Sequence, residues 1–285
     1  MDILNKKSLS ISFEVFPPKK EEENLNILYE TLNKLKTLNP NFISVTYGAN
    51  GTNVGKVKEI AHYIQNNLKV RTLAHLTCVA SSREYVDELC TFFKNNNISN
   101  ILALRGDIPL NPEMKKTDFT YASDLVKYIK SKNYFTVGGA CYPEKHFEAS
   151  TLDEDIKNLK IKVDKGLSFL ITQLFFVNNF FYEFKEKIRK QNINIPLIAG
   201  IMPITSYKSI ERIASMSNTY IPKQLSNFLY KNQDNQNLSK EVGINYCVDQ
   251  IIDLINNNVE GIHLYIMNNY ENAKIILDKI NERLK

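Results

Sequence analysis

Short apolar runs alternate along the chain with longer stretches in which apolar residues recur every three or four positions. The short runs have the length of β-strands, are bounded by turn-forming residues, and are rich in Val, Ile, Leu and Phe, which favours buried strands. Each run therefore predicts one strand. The eight predicted strands are Leu9–Phe16, Phe42–Gly48, Arg71–Cys78, Asn100–Asp107, Phe135–Tyr142, Phe169–Phe176, Pro196–Pro203 and Gly261–Asn268.

The stretches between these runs carry helical periodicity. Between positions 152 and 163, for example, four apolar residues fall on one helix face, as expected for a helix that covers a sheet. Three further helices are predicted between the seventh and eighth strands, with the polar segment Lys231–Leu238 as an exposed loop. These helices are expected near Ser206–Met216, Ile221–Lys231 and Leu238–Asn256.

Eight successive βα units predict an α/β fold in which a parallel sheet closes into a (β/α)8 TIM barrel. The structural rival is an open, doubly wound sheet, whose phosphate-binding loop is usually rich in glycine. The chain has ten glycines and contains neither a G-x-G-x-x-G motif nor a P-loop. We therefore expect residues 1–285 to form a single barrel domain with extra helices between strands 7 and 8.

Composition narrows the class of partner. Hydrophobic residues make up 43% and charged residues 24% of the chain, and the net charge is +5. The lysines are scattered and form no basic stripe, which argues against nucleic acid as a partner, but a mild positive charge suits an anionic cofactor or substrate. Without an apolar run of membrane length, a leader segment or a C-x-x-C pair, we expect a cytoplasmic protein with no membrane partner and no metal site.

Polar side chains are expected to collect at the carboxyl ends of the strands, where barrel enzymes keep their catalytic groups. In the first strand, Ser10, Ser12 and Glu14 share the face that points to the barrel axis, because side chains alternate along a strand. Each polar residue has a structural explanation of its own, such as an ion pair, a helix cap or a buried hydrogen bond. Together they predict a polar pocket. Its members on the other strands are Thr46, His75, Asp107, Gln173 and Tyr265.

The helix after the fifth strand adds a second group to this rim. Asp155, Asn158 and Lys162 share one helix face, because residues three and four positions apart are neighbours on a helix. The preceding loop brings Tyr142 and His146 to the same rim. A solvated helix face is one interpretation. The other is a site for a planar cofactor that carries phosphate.

Seven blocks of sequence, in order, resemble the methylenetetrahydrofolate reductase family, and the likeness is to the bacterial-type catalytic barrel. The likeness runs from about residue 9 to the last helix. Seven ordered blocks are a far more specific signal than one short motif. The blocks are Ser12–Lys19, Phe42–Ala49, Ala74–Cys78, Ile101–Asp107, Tyr121–Val126, Cys141–His146 and Ile171–Phe176.

This resemblance implies an FAD-containing barrel that reduces 5,10-methylenetetrahydrofolate to 5-methyltetrahydrofolate, with NADH or NADPH as co-substrate, in one-carbon metabolism and methionine synthesis. Family members commonly self-associate, so a homo-oligomer is expected. By resemblance, Glu14 would be the general acid that opens the methylene bridge, and Asp107 would tune both the flavin and the folate. Gln173 would contact the folate and then the nicotinamide, and Ser209 and Asn269 would contact the folate. The residues expected to bind FAD are Thr46, Tyr47, Ala49, His75, Arg105, Gly106, Asp107, Ala122, Tyr142, His146, Asp155, Asn158 and Lys162.

Three positions depart from the family pattern. Ile161 stands where an Arg is usual beside Lys162, Phe147 replaces the usual Pro, and Asn269 stands where the last strand usually offers an Arg. One phosphate contact and one folate contact are therefore expected to differ. The residues that the chemistry needs are kept.

The mechanism implied by the resemblance needs Glu14 protonated near neutral pH, and we expect its burial among Phe13, Phe16 and the flavin to raise its pKa. Two alternatives stay open from the sequence. One is a pterin- or folate-binding barrel methyltransferase without a flavin. The other is a barrel that binds or assembles without catalysis.

Overall fold

The computed structural model describes residues 9–18, 25–47, 54–79, 81–106, 118–217 and 219–285. Eight parallel strands pair in chain order, and the last strand pairs with the first, so the sheet closes into a barrel. The predicted (β/α)8 barrel is thereby confirmed. The strands are β1 Ser10–Val15, β2 Phe42–Val45, β3 Thr72–Thr77, β4 Asn100–Leu104, β5 Thr136–Cys141, β6 Phe169–Thr172, β7 Leu197–Ile201 and β8 Gly261–Leu264.

Helices follow the strands and surround the barrel. A single π-helical turn, Tyr63–Asn67, extends the second helix. The three extra helices predicted between the last two strands are confirmed, but the predicted loop Lys231–Leu238 shrinks to 232–235 because its outer residues join the flanking helices. The helices are α1 Asn26–Lys36, α2 Val54–His62, α3 Arg83–Asn95, α4 Ala122–Lys130, α5 Leu152–Asp164, α6 Asn178–Lys190, α7 Tyr207–Ser217, α8 Lys223–Lys231, α9 Gln236–Asn256 and α10 Tyr270–Arg283.

The core forms two layers separated by the sheet. Alternate strand residues such as Phe13 and Val15 point outward and pack with the apolar faces of the helices. The other strand face fills the barrel with an apolar cluster of Phe42, Leu73, Leu102, Phe169, Ile171 and Ile198. Side-chain alternation along the strands explains both layers.

The strands end earlier than the apolar pattern predicts. Strand β6, for example, stops at Thr172, although Leu174, Phe175 and Phe176 remain buried beyond it. These residues leave the sheet and pack elsewhere: Leu174 and Phe176 lie in a third cluster with residues of α7 and α8. The apolar pattern indicates which residues are buried, and residues stay buried after the strand pairing stops. The pattern therefore predicts strands that are too long.

Within the described residues, no helix is both long and apolar enough to cross a membrane. The helices instead have one apolar face, as α3 does with Val86, Leu89, Cys90 and Phe93. That face covers the barrel.

Candidate active site

A cavity of about 950 Å³ opens at the carboxyl ends of the strands. This is the end at which (β/α)8 enzymes carry their active sites, and the volume is typical of a cofactor site. Most of the residues predicted for the site from sequence lie in its wall. These are Glu14, Thr46, Tyr47, His75, Arg105, Gly106, Ala122, Tyr142, His146, Asp155, Asn158, Lys162, Gln173 and Tyr265.

Of the other predicted residues, Ser209 and Asn269 are not among the described residues that line the cavity. Ala49 and Asp107 lie outside the described residues. Ser209 is in the first turn of α7, where its hydroxyl donates to the Ser206 carbonyl oxygen at 2.7 Å. The Asn269 side chain caps α10 by accepting a hydrogen bond from the Asn272 N–H at 3.0 Å. Both side chains therefore serve local structure in this geometry, and Asn269 does so as a typical N-cap.

Glu14 lies near the end of β1 between two histidines. Its Oε2 is 3.6 Å from His75 Nε2 on β3 and 3.8 Å from His263 Nε2 on β8. Both distances exceed a normal hydrogen bond. The Glu14 side chain is 19% exposed, toward the cavity. A carboxyl group thus reaches the cavity floor from a polar layer of the barrel interior.

His263 is fixed from both sides of its ring. Its Nδ1 is hydrogen-bonded to Ser12 Oγ at 2.8 Å and its Nε2 to Ser44 Oγ at 3.2 Å. The strand register places these groups together, because Ser12 pairs with His263 and Glu14 pairs with Ser44. Phe42 stacks on the imidazole with ring centroids 5.5 Å apart. The ring therefore has one defined orientation beside Glu14.

The pKa of Glu14 is lowered, contrary to the sequence-based expectation. Burial is the largest single influence and raises this pKa, but His263, His75 and Ser44 together lower it by more. For the protein alone this prediction was wrong, because it left out the imidazoles of β3 and β8 and because Phe13 points away from Glu14 into the outer layer. In the ligand-free protein Glu14 is ionised at neutral pH.

His75 is the most strongly perturbed histidine among the described residues. Burial lowers its pKa from the usual 6.5 to about 4, although the Glu14 charge opposes this. Its Nε2 is buried and has no hydrogen-bond partner in the described part of the chain. His75 is thus a neutral imidazole at pH 7 with an unused polar atom beside Glu14.

The lowered pKa of His75 predicts a loss of stability in mild acid. The unfolded chain binds this proton more readily than the folded chain, so the contribution is complete above about pH 6.5 and is lost as the pH falls toward 4. At 1.36 kcal/mol per pKa unit, about 2 kcal/mol should be lost between pH 7 and pH 5. Urea unfolding at both pH values should show a correspondingly smaller loss for His75→Asn than for the wild type. The exposed His62, changed to Asn, is the control, and equal losses in the wild type and His75→Asn would contradict this account.

The loop after β5 is held by a network of hydrogen bonds. The His146 N–H donates to Asp155 Oδ2 on α5 at 2.9 Å, and Lys145 Nζ donates to the Ala149 carbonyl oxygen at 2.7 Å. Arg105, just after β4, donates to both carboxylate oxygens of Glu148 at 2.5 and 2.9 Å. This bidentate pair fixes the loop against β4.

Helix α5 presents Asp155, Asn158 and Lys162 to the cavity, as its spacing predicted. Lys162 Nζ donates to the Ala140 carbonyl oxygen at 2.5 Å. Burial lowers the pKa of Lys162, opposed by Cys141 and Asp155. The interpretation as a merely solvated helix face is therefore wrong for Asp155 and Lys162, which are half-buried in the cavity wall, whereas Asn158 is exposed there.

Sequence reasoning missed several residues of this site. His263 and Met202 line the cavity, on β8 and just after β7. His263 lies two positions before Tyr265, on the same strand face, and that alternation could have identified it. Phe147, Glu148 and Ile161 also line the cavity. The positions of Phe147 and Glu148 follow from the course of the loop, which no local pattern specifies, whereas Ile161 lies three residues after Asn158 on α5, a spacing that could have identified it.

Comparisons with known proteins agree on one family. The family model for methylenetetrahydrofolate reductase matches residues 1–281. The 5,10-methylenetetrahydrofolate reductase of Buchnera aphidicola subsp. Acyrthosiphon pisum is 37% identical over 275 residues, covering 94% of this chain and 92% of that protein. Methylenetetrahydrofolate reductase 1 of Schizosaccharomyces pombe is 36% identical over 285 residues, covering 96% of this chain and 46% of that protein. The chain thus spans about half the length of that relative and of similar plant proteins.

A solved structure shares the fold. It is an uncharacterized protein from Clostridium thermocellum that binds two copies of 5-methyl-5,6,7,8-tetrahydrofolic acid. It superimposes with a TM-score of 0.70 at 16% identity and covers 98% of this chain and 96% of that chain. At this identity the likeness establishes the barrel alone. Because the family model spans nearly the whole sequence and relatives at 36% and 37% identity cover it almost end to end, the chain belongs to the methylenetetrahydrofolate reductase family.

Proposed function

We propose that this protein reduces 5,10-methylenetetrahydrofolate to 5-methyltetrahydrofolate, with FAD as its cofactor and NADH or NADPH as the hydride donor. The observation that carries the proposal is a single cavity that combines the Glu14 carboxyl at its floor with the cations Arg105 and Lys162 in its wall. A proton donor and an anion-binding wall are the two things that this reaction requires of the protein. The names of the relatives at 36% and 37% identity support the same substrate.

The residues present fit a flavin dinucleotide. Arg105 and Lys162 suit its phosphates, because guanidinium and ammonium groups are the usual partners of phosphate oxygens. The buried His75 Nε2 lacks a partner in the described residues and lies in the cavity wall, so a polar ring edge there would satisfy it. Gly106 has a φ of +83°, and a Cβ there would lie 3.0 Å from Thr77 Cβ, so this position favours glycine. Without a side chain, the Gly106 backbone is accessible to a ligand in the cavity.

When bound, FAD would supply the hydride-transfer chemistry between the nicotinamide and the folate. The chain would orient and tune it. Glu14 would hold the proton that assists opening of the methylene bridge, and Gln173 would contact the folate and, in its turn, the nicotinamide. Gln173 is well placed for this, since it follows β6 and lines the cavity. Asp107, Ala49, Ser209 and Asn269 stay predictions, and contact with folate through Ser209 or Asn269 would require breaking the local hydrogen bonds of that side chain.

Glu14 must gain its proton after the ligands bind. In the ligand-free protein its neighbours keep it ionised. A ligand that covers its 19% exposed surface would remove the remaining water, and loss of water raises the pKa of a carboxyl group. Closure by the substrate itself thus turns a carboxylate into a general acid.

The test is the visible spectrum of the purified protein after addition of FAD. We expect flavin absorption at about 450 nm that bleaches with NADH or NADPH under anaerobic conditions and returns with methylenetetrahydrofolate, because colour and hydride transfer both belong to the cofactor. A protein that stays colourless after reconstitution would contradict the proposal and favour the flavin-free methyltransferase. Bleaching that methylenetetrahydrofolate fails to reverse would contradict the substrate assignment alone.

A further inference from the structure

Among the described residues, four large hydrophobic side chains that line the cavity are exposed, and besides Tyr121 and Met267 they are Phe147 and Ile161. Phe147 is 64% exposed and Ile161 is 53% exposed, and both line the cavity. Single exposed apolar residues are common on protein surfaces. Phe147 and Ile161, however, line one binding cavity and stand at positions where the sequence departs from the family pattern. We therefore expect a bound ligand to cover them.

The Phe147 ring is held in place before any ligand binds. It stacks on the His146 ring with centroids 4.5 Å apart and planes 29° apart, and His146 in turn meets the edge of Tyr142 at 4.8 Å. The hydrogen bond from His146 to Asp155 and the bidentate pair between Arg105 and Glu148 fix the loop on both sides of Phe147. An aromatic face presented in this way is preorganised to stack, which lowers the entropy cost of binding.

Ile161 lines the same cavity with a hydrogen-bonding side chain beside it, and we call Phe147, Asn158 and Ile161 together the slot. It lies three residues after Asn158 on α5, so the two side chains are neighbours on the helix face that lines the cavity. An aromatic ring, an aliphatic side chain and an amide together suit a flat heterocycle with apolar faces and a hydrogen-bonding edge. Adenine is such a ring: aromatic side chains stack on it, and the amide of Asn pairs with its edge.

The neighbouring charges indicate which molecule carries that ring. Phe147 precedes Glu148, the partner of Arg105, and Ile161 precedes the half-buried cation Lys162. A phosphate bound by these cations would therefore lie next to the slot. In FAD the pyrophosphate joins the flavin to adenine, whereas FMN ends at its phosphate and cannot reach the slot.

We propose that Phe147 and Ile161 form an apolar clamp for the adenine ring of FAD and that this clamp makes the protein select FAD over FMN. The inference rests on the proposed function, because it takes a flavin as the resident cofactor. Phe147 and Ile161 both depart from the family pattern. In this proposal, their apolar contact with adenine contributes the affinity for FAD that a charged side chain would otherwise contribute.

The test measures binding of FAD and of FMN to the flavin-free full chain by quenching of flavin fluorescence. Wild type should bind FAD more tightly than FMN. Phe147→Ser should weaken FAD about tenfold, the lower range for loss of stacking on one base, and leave FMN within about twofold. Phe147→Tyr should keep the wild-type ratio, and Ile161→Ala should fall between. Ile27→Ser, at a residue 74% exposed on α1 and outside the cavity wall, is the matched control and should leave both affinities unchanged.

The outcomes separate the clamp from the proposed function. If Phe147→Ser leaves the ratio of the FAD affinity to the FMN affinity unchanged, the clamp is overturned, whether both affinities stay the same or fall equally. The proposal that the protein binds a flavin would still stand. A wild type that binds neither flavin would overturn both. NADH also carries adenine, so its KM is measured on the FAD-loaded variants. A raised KM for NADH with an unchanged ratio would place the ring of the nicotinamide cofactor in the slot and overturn the assignment to FAD.

Discussion

Replacing Glu14 with Gln should leave flavin bleaching by NADH near the wild-type rate and slow the return of colour with methylenetetrahydrofolate by about 10²- to 10⁴-fold, the range for loss of a general acid. The amide keeps the size of the side chain but can neither release a proton nor regain one. In the proposed reaction, only the folate half-reaction needs that proton. Anaerobic stopped-flow spectroscopy measures the two half-reactions separately.

The position of Glu14 makes this separation sharp. Its carboxyl reaches the cavity, and on the inner side it is flanked by His75 and His263, whose Nε2 atoms lie 3.6 and 3.8 Å from its Oε2. Gln can occupy the same space between the two imidazoles at little structural cost. The control is Glu154→Gln, which changes another glutamate of the cavity wall, one whose carboxylate accepts a hydrogen bond from the Ser150 N–H at the rim. Glu154→Gln should keep both rates within a few-fold.

Two outcomes would count against Glu14 as the acid. Equal slowing of both half-reactions would mean that the substitution disturbs flavin binding and not proton transfer. Unchanged folate reduction would mean that another group supplies the proton. His263→Gln then helps, because His263 lowers the pKa of Glu14. If Glu14 is the acid, removing His263 should raise the pKa of Glu14 and shift the alkaline limb of the folate half-reaction to higher pH; otherwise the profile should stay in place.

The barrel was predictable because its signal is repeated. Eight apolar runs separated by helical stretches admit few other folds, and a displaced boundary in one run does not change the count. The predicted strands overrun because buried residues such as Leu174 and Phe175 continue the apolar pattern after the strand ends. Most of the site followed from the same regularity, since strand alternation and helix spacing placed Glu14 and Lys162 on the cavity side.

Long-range neighbours could not be predicted in the same way. The pKa of Glu14 depends on His263, which is 249 residues away in sequence and adjacent only because β8 pairs with β1. The Arg105–Glu148 pair depends equally on the path of a loop. For Ser209 and Asn269, the family likeness suggested folate contacts, but local hydrogen bonds within the first turns of α7 and α10 hold both side chains. Local competition of this kind is typical of Ser and Asn near helix starts.

Lys162 is the second residue whose loss should have a large effect. Its side chain is half-buried, and its ammonium group donates to the Ala140 carbonyl oxygen at 2.5 Å. Burial lowers its pKa, and a bound phosphate would restore it by pairing with the charge.

Lys162→Met keeps the length and the packing of the side chain and removes only the charge. Since hydrogen bonds to charged groups contribute about 1.5–3 kcal/mol, the affinity for FAD should fall about 10- to 150-fold, and the loss should extend to FMN because it concerns phosphate and not adenine. Lys160→Met is the matched control: it lies on the same helix, in an exposed ion pair with Asp164, and should bind both flavins as the wild type does. An unchanged FAD affinity in Lys162→Met would mean that the ammonium group only holds α5 to β5 and does not bind phosphate. In that case the free energy of unfolding should fall in Lys162→Met while flavin binding stays the same.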